Sequence, residues 1–240
     1  MVTVSNVVNK LISDRNQRQP ASQKTISAVY LGTIKYDVAL ELQKLAMKAV
    51  IDGKITGILL LMQHPAVFTI GRFRGDNEFH LSPETLQQKG IKIVNTNRGG
   101  SITCHEIGQL VGYPIINLKK HNLGVRDYVN KLEEVIIRSL HPFGIDGIRI
   151  RIYPGVWVED QKICSIGIHV SESVTTHGFA LNVNNDLRHF ALINPCGIKG
   201  ISMTSMSRLL RHEVEMESVV REVLVSFSSV FECKCREGFV

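Results

Sequence analysis

The sequence predicts an α+β domain: a mainly antiparallel, mixed sheet with helices packed on one side. Three observations point there. Apolar residues recur at strand spacing and at helical spacing in mixed order. Two short apolar runs flank Glu159, Asp160 and Gln161 as the arms of a hairpin. No strict strand–helix–strand repeat runs along the chain. With no internal repeat or interdomain linker in view, residues 25–240 are expected to form a single domain, preceded by a flexible polar tail over 1–24.

From the N-terminus, "SAVYLG" reads as a short strand. In "YDVALELQKLAMKAVIDG", Val38, Leu42, Leu45, Ala46 and Ala49 recur at helical spacing, and Gly53 stands where a helix would end. "ITGILLLMQHPAVFTIG" holds two apolar runs broken by His64-Pro65, which suits a buried strand, a turn and a second strand. "IKIVNTNRGG" is a strand running into a glycine pair, and "QLVGYPIINL" is another strand. From Val125 to Leu140 the spacing of Val125, Tyr128, Val129, Leu132 and Ile136 predicts one helical face, which Pro142 should stop. "GVWV" and "KICSIGIHV" are the hairpin strands, "HGFALNV" reads as a third neighbour, and a final helix is expected over roughly 213–227.

With 44% hydrophobic and 21% charged residues, the chain has the balance of a globular protein rather than a disordered or fibrous one. No apolar run reaches the roughly 18 residues of a membrane span, so no membrane partner is expected. The first residues lack the apolar block of a secretory signal. The expected compartment is the cytoplasm, or an organellar matrix if the tail is a transit peptide. In such a reducing compartment the five scattered cysteines argue against a disulfide framework. Cys233-x-Cys235 without a second pair is a weak metal signal, so no metal or cofactor is expected. The net charge of +6 favours an acidic partner. Nucleic acid is not the expected one, because no arginine-rich run or aromatic ribonucleoprotein motif accompanies the charge.

Cys196 stands between Pro195 and Gly197 in "INPCGIKGISMTS". A cysteine in such a place is either small apolar filler or a nucleophile. Pro195 restricts the backbone and Gly197 admits close approaches, so the turn can present sulfur at a cleft mouth and aim N–H groups at a developing oxyanion. A thiol of pKa about 8.5 needs a positive or basic neighbour to act at neutral pH. Strict alternation along "KICSIGIHV" puts Lys162, Cys164, Ile166 and Ile168 on one face. Lys162 then either ends the hairpin in solvent or points its ammonium at the thiol. In "NRGGSITCH", Gly99 and Gly100 leave the backbone bare after Arg98, which serves a substrate or a plain turn, and His105 is a base, a ligand or a structural group.

Five stretches, "QHPAVFTIG", "RGGSIT.H..GQLVGYPI", "GVWVEDQKICSIGIHVS", "HGFALNVNNDL" and "INPCGIKGISMTS", occur together as they do in the lipoyl(octanoyl) transferases, which this chain resembles from about residue 28 to 210. The resemblance implies a fold similar to the catalytic domains of biotin and lipoate protein ligases. It also implies transfer of an octanoyl group from octanoyl-acyl carrier protein to a lysine of lipoyl domains, those of 2-oxoacid dehydrogenase E2 subunits and the glycine cleavage H protein, as the first step of protein lipoylation. Carried over, it makes Cys196 the nucleophile of a thioester acyl-enzyme and Lys162 the residue that lowers its pKa and acts as acid and base. Arg98, Gly99, Gly100, Ser101, Ile102, Thr103, Cys104 and His105 match the substrate-binding loop. Ser165, Ile166, Gly167, Gly178, Phe179 and Ala180 match two strand segments that line the acyl site.

The chain departs from the family where His-Gly-Pro-Gly-Gln is usual: it has His105-Glu106-Ile107-Gly108-Gln109, and Cys104 replaces a common aromatic. A carboxylate at 106 raises a thiol pKa if it points into the site. Two other readings follow: an ATP-dependent lipoate or octanoate protein ligase, which shares the lysine and has no need of Cys196, and an inactive module that only binds acyl carrier or lipoyl domains.

Overall fold

The computed structural model describes residues 25–73, 79–194 and 201–239. The tail over 1–24 and the turn Pro195-Cys196-Gly197 lie outside them. The elements run β1 (Thr25–Thr33), α1 (Tyr36–Ile51), β2 (Gly57–Gln63), β3 (Val67–Ile70), α2 (Pro83–Gln88), β4 (Lys92–Asn95), β5 (Ile102–His105), β6 (Gln109–Ile116), α3 (Val125–Leu140), β7 (Ile148–Ile150), β8 (Tyr153–Val158), β9 (Gln161–Ser171), β10 (Val174–Asn182), β11 (Ser202–Met203), α4 (Met206–Leu210), α5 (Met216–Val230) and β12 (Lys234–Phe239). A short 3-10 turn at Arg188–Leu192 precedes the undescribed turn.

The main sheet has the order β12-β1-β2-β6-β10-β9-β8-β7. It is antiparallel from β2 to β7, while β1 runs parallel to β12 and β2. Strand β11 adds a short parallel pairing to the start of β9, with Met203 opposite Lys162. A second sheet, β4-β3-β5, stands apart from it. His64-Pro65 therefore does more than turn the chain, because β2 and β3 on its two sides enter different sheets.

Helices cover both faces of the main sheet, which corrects the expected one-sided packing. Helices α3 and α5 pack on one face with Ile26, Leu59, Leu61 and Leu181, and α1 packs on the other with Ile58, Leu60, Val111 and Ile115. The reason is in the central strands. All of β6, and β2 up to Met62, are buried at every position, so neither face can be left to water. The contact face of α1 is also rotated from the expected one: Ala39, Leu42, Gln43, Ala46 and Val50 are buried, while Leu45 is 41% exposed. Helix α3 buries Tyr128, Leu132 and Ile136 as the spacing predicts, but Val125 at its start is exposed. No helix among the described residues is long and apolar enough to cross a membrane.

A bulge breaks the alternation predicted for β9. Strand β8 pairs Trp157 with Lys162 and Val156 with Cys164, so Ile163 is an extra residue between two rungs. Parity along the strand does not carry through it, and the predicted shared face of Lys162 and Cys164 does not follow from spacing. From Cys164 onward the alternation holds, and Cys164, Ile166 and Ile168 meet the core beneath α3 and α5.

Candidate active site

A narrow cleft, partly open to solvent, lies between the two sheets. The loop from Arg98 to Thr103 and His105 forms one wall, and Ser165 to Gly167 of β9 with Gly178 to Ala180 of β10 form the other. Every substrate-loop and strand residue singled out from the sequence lines this cleft except Cys104. That side chain turns away on β5 into a separate apolar cluster with Phe68, Leu86 and Met203.

The glycine loop is held from several sides. Arg98, 7% exposed, donates from Nε to Thr69 Oγ1 at 3.1 Å and from Nη2 to Thr69 O at 2.5 Å. Gly99 N donates to Ile168 O at 2.8 Å, and Gly71 N to Ser101 O at 2.8 Å. Asn97 Oδ1 meets His177 Nε2 at 2.7 Å. This close packing accounts for Gly167, where a Cβ would come within 2.9 Å of Gly99 O. Across the cleft the Phe179 ring lies over Gly112, where any Cβ would strike it at 2.1 Å.

Behind the cleft is a cluster that the sequence reading did not single out. Tyr36, Tyr113 and His177 line the cleft, and His64 packs behind them. The Tyr36 ring stacks on His105 with centroids 5.7 Å apart. His64 Nδ1 faces Ile34 O at 2.6 Å, an acceptor only, so that nitrogen carries the proton and Nε2 accepts from Tyr113 Oη at 2.8 Å. Burial depresses these imidazoles: His64 falls to about 4, and His177 falls to about 3 with help from the Arg98 charge. Burial also holds His105 well below its ordinary value, with the neighbouring His64 adding to the effect. The site is therefore lined by neutral rings at physiological pH. A signal existed for Tyr113, a polar aromatic in the otherwise apolar run from Leu110 to Ile116. Tyr36, at the start of α1, had none.

Lys162 is 2% exposed. Its Nζ lies 5.3 Å from the centroid of the Trp157 ring, a cation–π contact. Gly155, with φ at +129°, makes room for the stem, because a Cβ there would lie 2.6 Å from Lys162 Cε and 2.4 Å from Cys164 O. Burial pushes the Cys164 thiol up to about 12, and the Lys162 charge offsets part of that rise. The strand that carries Lys162 is tied to the glycine loop by a chain of polar contacts. His105 Nδ1 meets Gln109 Oε1 at 2.8 Å, Gln109 Nε2 donates to Asn182 Oδ1 at 2.9 Å, Asn182 Nδ2 to Thr204 O at 3.0 Å, and Thr204 N to Lys162 O at 3.0 Å.

The described chain stops at Asn194 and resumes at Ile201, and β11 then pairs directly beside Lys162. Glu106 does not line the cleft. It is buried against Asn185 and His189.

The lipoyl protein ligase A/B catalytic domain matches residues 35–228. An octanoyltransferase of Thermoanaerobacter sp. (strain X514) is 45% identical over 201 residues, covering 84% of this chain and 88% of that protein. The chain belongs to this octanoyltransferase family. A further member, from Caldicellulosiruptor saccharolyticus, is 42% identical over 88% of this chain and 91% of its own. Membership makes the protein an acyltransferase. Solved structures agree on the fold. Lipoate-protein ligase A bound with ATP superposes with a TM-score of 0.69 at 15% identity, covering 91% of this chain and 89% of that one. The bi-partite lipoate protein ligase from Thermoplasma acidophilum gives 0.69 at 16%, covering 89% and 86%. A biotin protein ligase from Aquifex aeolicus gives 0.52 at 13%, covering 86% and 70%.

Proposed function

We propose that this chain, with 25–240 as its catalytic domain, moves an octanoyl group from octanoyl-acyl carrier protein to a lysine of lipoyl domains through a thioester on Cys196. The lipoyl domains are those of 2-oxoacid dehydrogenase E2 subunits and the glycine cleavage H protein, and the cytoplasm or an organellar matrix is the compartment. The observation that carries this reading is a buried lysine beside a strand that resumes directly after the Cys196 segment. Lysines rarely give up their water for structural reasons alone. At 162 the ammonium serves to favour the Cys196 thiolate and to pass a proton.

In the first step the Cys196 thiolate attacks the thioester carbonyl, a C–S bond forms, and the carrier thiol leaves with a proton from Lys162. In the second a neutral lysine amine attacks the acyl-enzyme, an amide forms, and Cys196 leaves as thiolate while the amine proton passes to Lys162. The first exchange is nearly isoenergetic and the second runs downhill to an amide, so ATP has no part in it. The cleft suits such a substrate. Ile102, Ile166, Phe179 and Ala180 are among its lining residues, and apolar contact is worth ~0.8 kcal/mol for each CH₂ that the acyl chain buries. Ser101 Oγ and Thr103 Oγ1 are buried in the cleft wall with no hydrogen-bond partner among the described residues, and both are placed to meet a polar group of the substrate.

Intact-mass measurement after incubation with octanoyl-acyl carrier protein tests the reading. One hydroxylamine-labile octanoyl adduct is expected, absent from Cys196→Ser and discharged by added lipoyl domain. Acyl-adenylate formation from ATP and free octanoate would move the chain to the ligases, and a protein that never acquires an adduct would be a binding module only.

A further inference from the structure

Where the end of β5 and the turn after it meet the 3-10 turn at Arg188–Leu192 lies a second cluster that acyl transfer does not use. A Cys104 sulfur, a Glu106 carboxylate oxygen and a His189 ring nitrogen all lie within 4.8 Å of one another. None of the three residues lines the cleft. Cys104 and Glu106 are buried, while the His189 side chain keeps 35% of its surface in water, which leaves a way in. Thiolate, carboxylate and imidazole are the mixed donors of a borderline-soft divalent ion. A tetrahedral zinc centre holds its donor atoms about 3.6 Å apart, so the longer separations would contract by about one ångström while the Glu106–His189 contact, 2.6 Å, would open by a similar amount to admit the ion.

We infer that Cys104, Glu106 and His189 bind a divalent cation of the zinc class, which ties the turn after β5 to the segment that enters the Cys196 turn. A hydrogen bond between Glu106 and His189, with Glu106 Oε2 and His189 Nδ1 2.6 Å apart, accounts for two of these residues, and apolar packing against Phe68, Leu86 and Met203 holds Cys104, yet the thiol still stands beside a buried carboxylate and an imidazole. The outer support of a metal ligand is already in place. Glu106 Oε1 accepts from Asn185 Nδ2 at 3.0 Å, and the same amide donates to Asn182 Oδ1 at 3.1 Å. In the metal-free protein, burial and the Glu106 and Asp186 charges push the Cys104 thiol well up. A divalent ion among these groups reverses that balance, and the thiol proton leaves to solvent. The mechanical consequence follows from the chain path. His189 sits in the turn that leads toward Cys196, and the next residues are already held by His80, whose N–H donates to Leu192 O at 2.9 Å and whose Nε2 meets Asn194 Oδ1 at 3.0 Å.

The metal-free full chain, titrated with Co²⁺ alone, is expected to bind one equivalent with thiolate-to-cobalt charge-transfer absorption that Zn²⁺ then removes. Cys104→Ser should abolish the band, and Glu106→Gln or His189→Gln should weaken binding by about ten-fold or more. Cys196→Ser, Cys233→Ser and Cys235→Ser should leave it intact. X-ray absorption of the zinc-loaded, unsubstituted protein should show a single sulfur neighbour at ~2.3 Å with nitrogen and oxygen at ~2.0–2.2 Å, a readout that stands even if Cys104→Ser fails to fold. No stoichiometric binding, a second sulfur neighbour, or a band that survives Cys104→Ser in folded protein would overturn the inference.

Discussion

Lys162 and the histidines behind the cleft show burial acting on ionisable groups in two ways. The Lys162 stem occupies space that only a glycine at 155 leaves open, and its ammonium faces an indole ring rather than bulk water. If it stabilises the Cys196 thiolate, Lys162→Ala should slow acylation by about a hundred-fold or more and move the pH optimum upward, because the thiol then has to ionise unaided. Stopped-flow acylation across pH checks this, and an unchanged profile removes the role. For His64 and His177 the folded-state values, about 4 and about 3, lie below the unfolded value of about 6.5. Their contribution to stability is full above pH ~6.5 and is lost as pH falls toward the folded values, because the unfolded chain takes up the protons first. By pH 5 each should have cost ~2 kcal/mol relative to pH 7. Urea unfolding at the two pH values should show the loss, and His64→Gln should reduce its size.

Strands β6 and β10, which pair in one ladder, also meet each other and the backbone just after β11 in polar contacts. Asn182, 1% exposed, takes an N–H from Gln109 and another from Asn185 and gives one to Thr204 O. Replacing it by alanine strands several buried groups at once, and removing one partner of a buried pair costs about 1–3 kcal/mol for the group left behind. Asn182→Ala is therefore expected to lower stability by at least ~2 kcal/mol in urea unfolding. It should also raise KM for the acyl donor more than a surface change of equal destabilisation, because His105 and the Lys162 strand lose their common tether. The bulge at Ile163 belongs here too. It resets the phase of β9 between Lys162 and Cys164, so one strand serves the cationic site at its start and the core beyond it.

Over the whole chain the net charge is +6, and the cleft lining contains Arg98 but no Asp or Glu. An acidic carrier protein would be drawn to such a surface at long range, and salt would screen the attraction over about 8 Å at physiological ionic strength. The second-order rate of acylation should fall several-fold between ~20 mM and ~300 mM salt while the rate at saturation changes little. A salt-independent rate would show that the basic surface does not guide the donor.

The chain sequence alone was enough for the α+β class, for the helices at 36–51 and 125–140, and for the strands around Glu159. In each of these the hydrophobic period was enough to give the type of element, although not the exact buried face of the helix at 36–51 or the bulge at Ile163. The loop from Arg98 to Thr103 was legible for a similar reason, since a glycine pair after a strand is a local signal. Tertiary structure decided the rest. It covered the second sheet face with α1, because an apolar run such as Ile58 to Met62 says that both sides are dry without saying what covers them. It also brought Tyr36, His64, Tyr113 and His177 together from separate parts of the chain, and Cys104 and Glu106 to His189. Such meetings depend on strand register and chain crossing. Those are set by the packing of the whole core, and no local window of residues contains them.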